Sequence, residues 1–133
     1  MTGTQLLLLG TSLLASLLFS TQQSADAEPV GGPVVRIAEL EINPAQLDAY
    51  KLALTEEIEA SIRVEPGVLS LYAVSLKGHP EQIRLFETYK DGAAYDSHLQ
   101  SLHFKTYKTR TQQMVKGLRL LETEPILLGS KSQ

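Results

Sequence analysis

Between Val34 and Leu127 the apolar residues switch twice between a spacing of two and a spacing near that of a helix turn. Side chains alternate across a strand but return every 3.6 residues on a helix, so this double switch restricts the chain to strand–helix–strand halves. The first strand reads Val34 to Ile42. Arg36, Ala38, Leu40 and Ile42 share one face, and Val35, Ile37, Glu39 and Glu41 the other. Asn43-Pro44 supplies a capping side chain and a proline suited to a first helical turn. A helix is expected from Pro44 to Arg63, with Leu47, Tyr50, Leu54, Ile58 and Ile62 as its apolar stripe and Glu56, Glu57 and Glu59 mostly outside it. Pro66-Gly67 marks a turn, and Val68 to Leu76 a second strand that places Tyr72 with Ser70 and Val74. Lys77-Gly78-His79-Pro80 reads as a hairpin loop and Gln82 to Tyr89 as a third strand, with Ile83, Leu85, Glu87 and Tyr89 on one face. A short helix is expected from Asp91 to Gln100. A break at Ser101-Leu102 then leads to a second helical segment from His103 to about Lys116, capped by Gly117. Leu118 to Leu127 closes the pattern as a fourth strand, and Pro125 puts its end at a sheet edge.

The order βαββαβ predicts an α+β, ferredoxin-like fold: a four-stranded antiparallel sheet with the helices on one face. The opposite face keeps many apolar side chains and no covering layer. Such a face marks an interface, and a second copy of the same sheet covers it most simply. The expected assembly is a homodimer of the dimeric α/β barrel type.

Residues 1–27 read as a leader rather than as part of the domain. Leu6 to Phe19 is leucine-rich but shorter than the roughly 20 apolar residues a bilayer span needs. Ala25-Asp26-Ala27 fits the small-x-small cleavage pattern of a signal peptide, although Met1 to Gln5 lacks the usual basic residue. Export to the periplasm or outside the cell is the expectation, with no stable membrane span after cleavage. Residues 28–33 form a Pro/Gly linker, 34–127 the domain and 128–133 a polar tail. There is no cysteine, which excludes a disulfide framework, a thiol nucleophile and a lipid-anchored lipoprotein. Charge is slightly acidic, with 12 Lys and Arg against 15 Asp and Glu, and there is no basic cluster of the kind that binds nucleic acid. Gly-rich phosphate loops, Ser–His–Asp arrangements and dinucleotide fingerprints are also absent.

Chemistry concentrates in Ala94 to Phe104. Of three histidines, His98 and His103 fall here, beside Tyr95, Phe104 and Tyr107. Histidine exchanges a proton near neutral pH, so this segment suggests a small apolar pocket with acid–base capacity. On one continuous helix, positions five apart diverge by roughly 140°. A shared metal is therefore not expected, and only a break at Ser101-Leu102 lets the two rings converge. His79 reads as a solvated turn residue. Glu87, on an otherwise apolar strand face, must be paired or shifted in pKa. It could orient His98 as an acceptor; the other reading is a salt bridge to Arg36 or Arg110.

The words Arg36 to Ile42, Glu65-Pro66-Gly67-Val68-Leu69, Phe86-Glu87-Thr88-Tyr89 and His98-Leu99-Gln100-Ser101-Leu102-His103-Phe104 occur in an order and spacing that resembles the antibiotic biosynthesis monooxygenase domain, most closely its small quinol monooxygenases. The resemblance covers about Val34 to Ile126. It implies oxidation of a small phenol, quinol or related aromatic compound by dioxygen, with no metal, flavin or other cofactor. A base removes the phenolic proton, and the anion reduces dioxygen directly. Carried over by position, His98 and Glu87 are the implied catalytic pair. His103 matches the second histidine of the segment, and Tyr72, Tyr95, Phe104 and Tyr107 line the substrate pocket. The haem-degrading branch is not matched: its Asn, Trp and axial His positions are Leu40, His98 and Lys108 here. The same scaffold also admits an isomerase or degrader of a small oxygenated signal, or a non-catalytic dimeric binding module.

Overall fold

A computed structural model describes residues 31–131. The leader of residues 1–27, the start of the linker and residues 132–133 lie outside the described residues. The elements are β1 (Val34–Ile42), α1 (Leu47–Val64), β2 (Val68–Leu76), β3 (His79–Tyr89), α2 (Gly92–Gln100), α3 (Leu102–Thr111) and β4 (Val115–Glu122). A single 3-10 turn over Pro44–Gln46 precedes α1, where the Asn43 side chain accepts a hydrogen bond from the Ala45 amide. The strands form one antiparallel sheet in the order β2-β3-β1-β4. This is the expected ferredoxin-like fold. Among the described residues no helix is long and apolar enough to cross a membrane.

The core lies between the helices and one sheet face. Ala38, Leu40 and Ile42 of β1 and Ile83 and Leu85 of β3 pack against Tyr50, Ala53 and Leu54 of α1 and Tyr107 of α3. Strand register fixes what stands on each side. Leu71, Glu87, Arg36 and Glu122 make one row on the helix side, and Ala73, Leu85, Ala38 and Leu120 the next. Since neighbouring residues alternate in direction, Tyr72, Phe86, Ile37 and Leu121 form a row across all four strands on the open side.

Four boundaries differ from expectation. The hairpin turn is only Lys77-Gly78, because Gly78 takes a φ of 83°, which glycine adopts without steric cost. His79 and Pro80 therefore begin β3. Helix α3 stops at Thr111, well before Lys116: the Met114 amide bonds back to the Thr111 carbonyl and the Met114 carbonyl accepts from Asn43. Met114 and Val115 kept helical spacing with Phe104 and Tyr107, yet Val115 pairs with Ile42. Gly117 is accordingly not a helix cap; it lies in β4 opposite Glu41. β4 is an edge strand, but it ends at Glu122, so Pro125 lies beyond it.

Candidate active site

The break at Ser101 brings the two histidines together. Ser101 is extended, with ψ 148°; it closes α2 through its amide to the His98 carbonyl and caps α3 by accepting from the Phe104 amide. A second local device is Gly67. A Cβ there would sit 2.5 Å from the Ala94 Cβ, so glycine lets α2 approach the α1–β2 turn. That approach sets Glu65 against both imidazoles. Glu65 Oε1 accepts from His98 Nδ1 at 3.0 Å and also from His103 Nε2. The His98 Nε2 atom faces Glu57 Oε1 at 3.7 Å, and Glu57 accepts a hydrogen bond from Ser61 at 2.7 Å. His98 is 2% exposed and Glu57 is also buried, whereas His103 reaches partly to solvent.

The carboxylates differ because their surroundings differ. Burial pushes Glu57 above the ordinary carboxylate range, against the opposing effects of Ser61 and His98. Burial also raises Glu87, although Tyr89 donates a hydrogen bond to it at 2.9 Å. Burial works against the charge of Glu65 too, but hydrogen bonds from His103 and His98 outweigh it and hold Glu65 below its usual value. An ionised Glu65 holds the Nδ1 proton of His98, which leaves the Nε2 lone pair free for chemistry. Carboxyl groups pushed apart in pKa around an imidazole form an acid–base arrangement.

This cluster borders a cavity of about 90 Å³ between the inner sheet face and the helices, lined by Glu87, Tyr95, His98, Phe104, Tyr107 and aliphatic side chains. Its lining becomes exposed at Lys108, Leu118 and Leu120, which marks the mouth. The rings pack closely: His98 lies 4.8 Å from Phe104 and 5.3 Å from Tyr89, centroid to centroid. Arg36 stacks 4.7 Å over the Tyr95 ring. Tyr50 and Tyr107 share a buried hydroxyl–hydroxyl hydrogen bond of 2.6 Å.

The structure thus brings His98, Glu87, Tyr95, Phe104 and Tyr107 to one cavity. It does not bring Tyr72, whose ring stands on the opposite sheet face and is 64% exposed. Glu87 is not the acceptor that orients His98. Tyr89, two residues along the same strand face, binds Glu87, and Glu65 orients the imidazole instead. The salt bridges considered for Glu87 do not form: Arg36 pairs with Glu122 at 2.8 Å and Arg110 with Glu56. His103 borders the neighbouring groove between α1 and α3 rather than the cavity. Glu57 and Glu65 were missed. Glu65 read only as part of a turn, and Glu57 as outside the stripe of α1. The face that α1 buries is Tyr50, Ala53, Leu54, Glu57 and Ser61, while Ile62 is exposed. Divergence along one helix no longer argues against a shared metal: donor atoms of Glu57, His98 and His103 all lie within 4.8 Å of one another.

Fold and cluster together define a ferredoxin-like domain with buried acid–base side chains beside a cavity. The sequence profile of the family "Antibiotic biosynthesis monooxygenase" matches residues 33–110, and the chain belongs to that family. It is 44% identical to an antibiotic biosynthesis monooxygenase candidate from Bacteriodes thetaiotaomicron, over 77% of this chain and 97% of that one, with a TM-score of 0.73. Rv0793 from Mycobacterium tuberculosis shares the fold at 24% identity, over 74% of this chain and all of that one (100%), with a TM-score of 0.68. A family candidate from Nitrosomonas europaea does so at 22% identity, over 72% and 92% of the two chains, with the same TM-score of 0.68. No curated protein matches the chain.

Proposed function

We propose that this member of the family is a cofactor-independent monooxygenase that oxidises a small phenol or quinol with dioxygen. The observation that carries the proposal is the buried His98, whose Nδ1 is held by Glu65 while the ring borders an aromatic-lined cavity. In this reading a phenolic hydroxyl gives its proton to His98 Nε2. The resulting anion reduces dioxygen by electron transfer, one oxygen atom bonds to the ring, and the other leaves as water. The substrate supplies all the electrons, so no external reductant enters. Glu65 stabilises the imidazolium, and Glu57 lies within reach to exchange a proton with it. An engineered cavity of about 150 Å³ is large enough for benzene. A cavity of about 90 Å³ therefore favours a single ring that extends through the mouth at Leu118 and Leu120.

Homodimerisation is part of the proposal. Tyr72, Val74 and Phe86 are 64%, 58% and 39% exposed on one sheet face, which supports a second copy of that face as the cover. Export also belongs to it and rests on the leader sequence alone.

The test is oxygen uptake by chelator-treated protein with a panel of phenols and hydroquinones. Uptake above autoxidation is expected, and a folded His98→Ala variant abolishes it. Absence of uptake across the panel would refute the oxygenase reading and leave the isomerase and binding-module readings, which ligand screening separates.

A further inference from the structure

The hydrogen bonds around Glu65 account for one nitrogen on each of two imidazoles. Beside them stands a further donor, the buried Glu57, whose only hydrogen bond among the described residues is the one it accepts from Ser61. Three elements contribute one donor each: Glu57 from α1, His98 from α2 and His103 from α3. Their donor atoms converge within 4.8 Å, and the His98 Nε2 to Glu57 Oε1 separation is already 3.7 Å. Zn–N bonds of about 2.0–2.1 Å in tetrahedral geometry place donors roughly 3.4 Å apart, so a contraction of at most about 1.4 Å closes the site. We propose that Glu57, His98 and His103 form a binding site for a divalent first-row transition cation of the zinc type.

Three features support this site beyond ligand count. Imidazole with carboxylate is the donor set that suits zinc-type cations; all-oxygen sites suit magnesium and calcium. Glu65 already holds the Nδ1 of His98, the outer-shell carboxylate that orients a metal-binding imidazole through its far nitrogen. An access route also exists. A groove of about 380 Å³ between α1 and α3 reaches Glu57 and His103 from solvent, on a path that does not pass through the aromatic cavity. Three protein ligands leave one coordination position open, and His103 exchanges its bond to Glu65 for the cation. Metal binding stands without the oxygenase reading. Its consequence rests on that reading: a cation on His98 Nε2 occupies the lone pair that receives the substrate proton, so zinc inhibits.

The experiment is a titration of the chelator-treated full chain with Co²⁺, read by visible ligand-field bands, followed by displacement with Zn²⁺. One equivalent per chain is expected. Glu65→Gln should weaken binding roughly 10–100-fold, as loss of an outer-shell partner does, and His103→Ala and Glu57→Gln should weaken it further. His79→Ala serves as the control, since His79 is exposed beside Glu81. His103 is partly exposed, so its variant stays informative where His98→Ala fails to fold. No uptake by folded wild-type protein overturns the site, as does uptake indifferent to both His103→Ala and Glu57→Gln. Bound zinc that leaves oxygen uptake unchanged confirms the metal and contradicts the role given to His98.

Discussion

The two faces of this sheet are made by the same strands and have opposite characters. On the helix side, Ala38, Leu40, Ile83 and Leu85 are packed away, and Glu87 stands beside a cavity with His98. On the open side, Tyr72 and Phe86 are exposed, Ile37 and Leu121 of the same row are half-buried, and the next row carries ions: Glu39 lies 2.7 Å from Arg119 and 3.8 Å from Arg84. A period of two delivers both faces from one sequence. Burial, rather than residue type, divides the two faces. Glu39 and Glu87 are both strand carboxylates, yet Glu39 pairs with Arg119 at the surface while burial raises the Glu87 carboxyl above its ordinary range.

Four changes break or sharpen that contrast. The largest effect is expected on the open side. Tyr72→Asp with Phe86→Asp places two charges in the proposed dimer contact, where uncompensated burial costs several kcal/mol, on the order of 3–5. Light scattering after size exclusion should show monomers, while far-ultraviolet circular dichroism remains that of the native fold. Retention of the dimer would move the interface elsewhere.

Next comes Gly67→Ala. The new methyl meets Ala94, and overpacking costs about 1–3 kcal/mol in denaturant unfolding. Because the clash pushes α2 away from Glu65, turnover should fall more than stability alone explains.

Tyr107→Phe is expected to cost about 1–2 kcal/mol, since it strands the buried Tyr50 hydroxyl without its 2.6 Å partner. Tyr50→Phe should cost a similar amount, and the double variant less than the sum of the two.

The smallest and most diagnostic effect depends on pH. Glu87 is raised by burial, so its favourable, protonated contribution is present at low pH and is lost as pH rises through the folded value. Glu87→Gln should therefore raise Tm at neutral pH and leave it unchanged well below the ordinary carboxylate pKa of about 4.3. Glu65 has the opposite sign. Its folded pKa is lowered, so its contribution is present above the ordinary value and lost as pH falls through the folded one. Glu65→Gln should lower Tm at neutral pH, and the difference should shrink on acidification.

Strand and helix order was legible because each element carries its own period and punctuation: Asn43-Pro44, Pro66-Gly67 and Ser101 all mark true boundaries. The end of α3 was not, because Met114 and Val115 satisfy helical spacing while backbone bonds to Thr111 and Asn43 commit them to a turn and a strand. At the site, the helical segment displayed His98, Tyr95, Phe104 and Tyr107 as neighbours in sequence. Glu65 lies 33 residues from His98 and becomes its partner only through the close approach at Gly67, a tertiary event with no local signature. Glu57 did leave a trace. It shares the phase of Tyr50, Leu54 and Ser61, the stripe that the structure shows α1 burying. Tyr72 was misplaced because strand alternation sets which residues share a face and leaves open which face the helices cover.

In the proposed function, substrate meets the helix-covered face at His98. An anaerobic crystal structure with a bound hydroquinone tests it most directly. A phenolic oxygen is expected about 2.6–3.2 Å from His98 Nε2, within the cavity bordered by Glu87 and Phe104. A ligand seated in the α1–α3 groove or on the Tyr72 face, with the cavity closed, would contradict it.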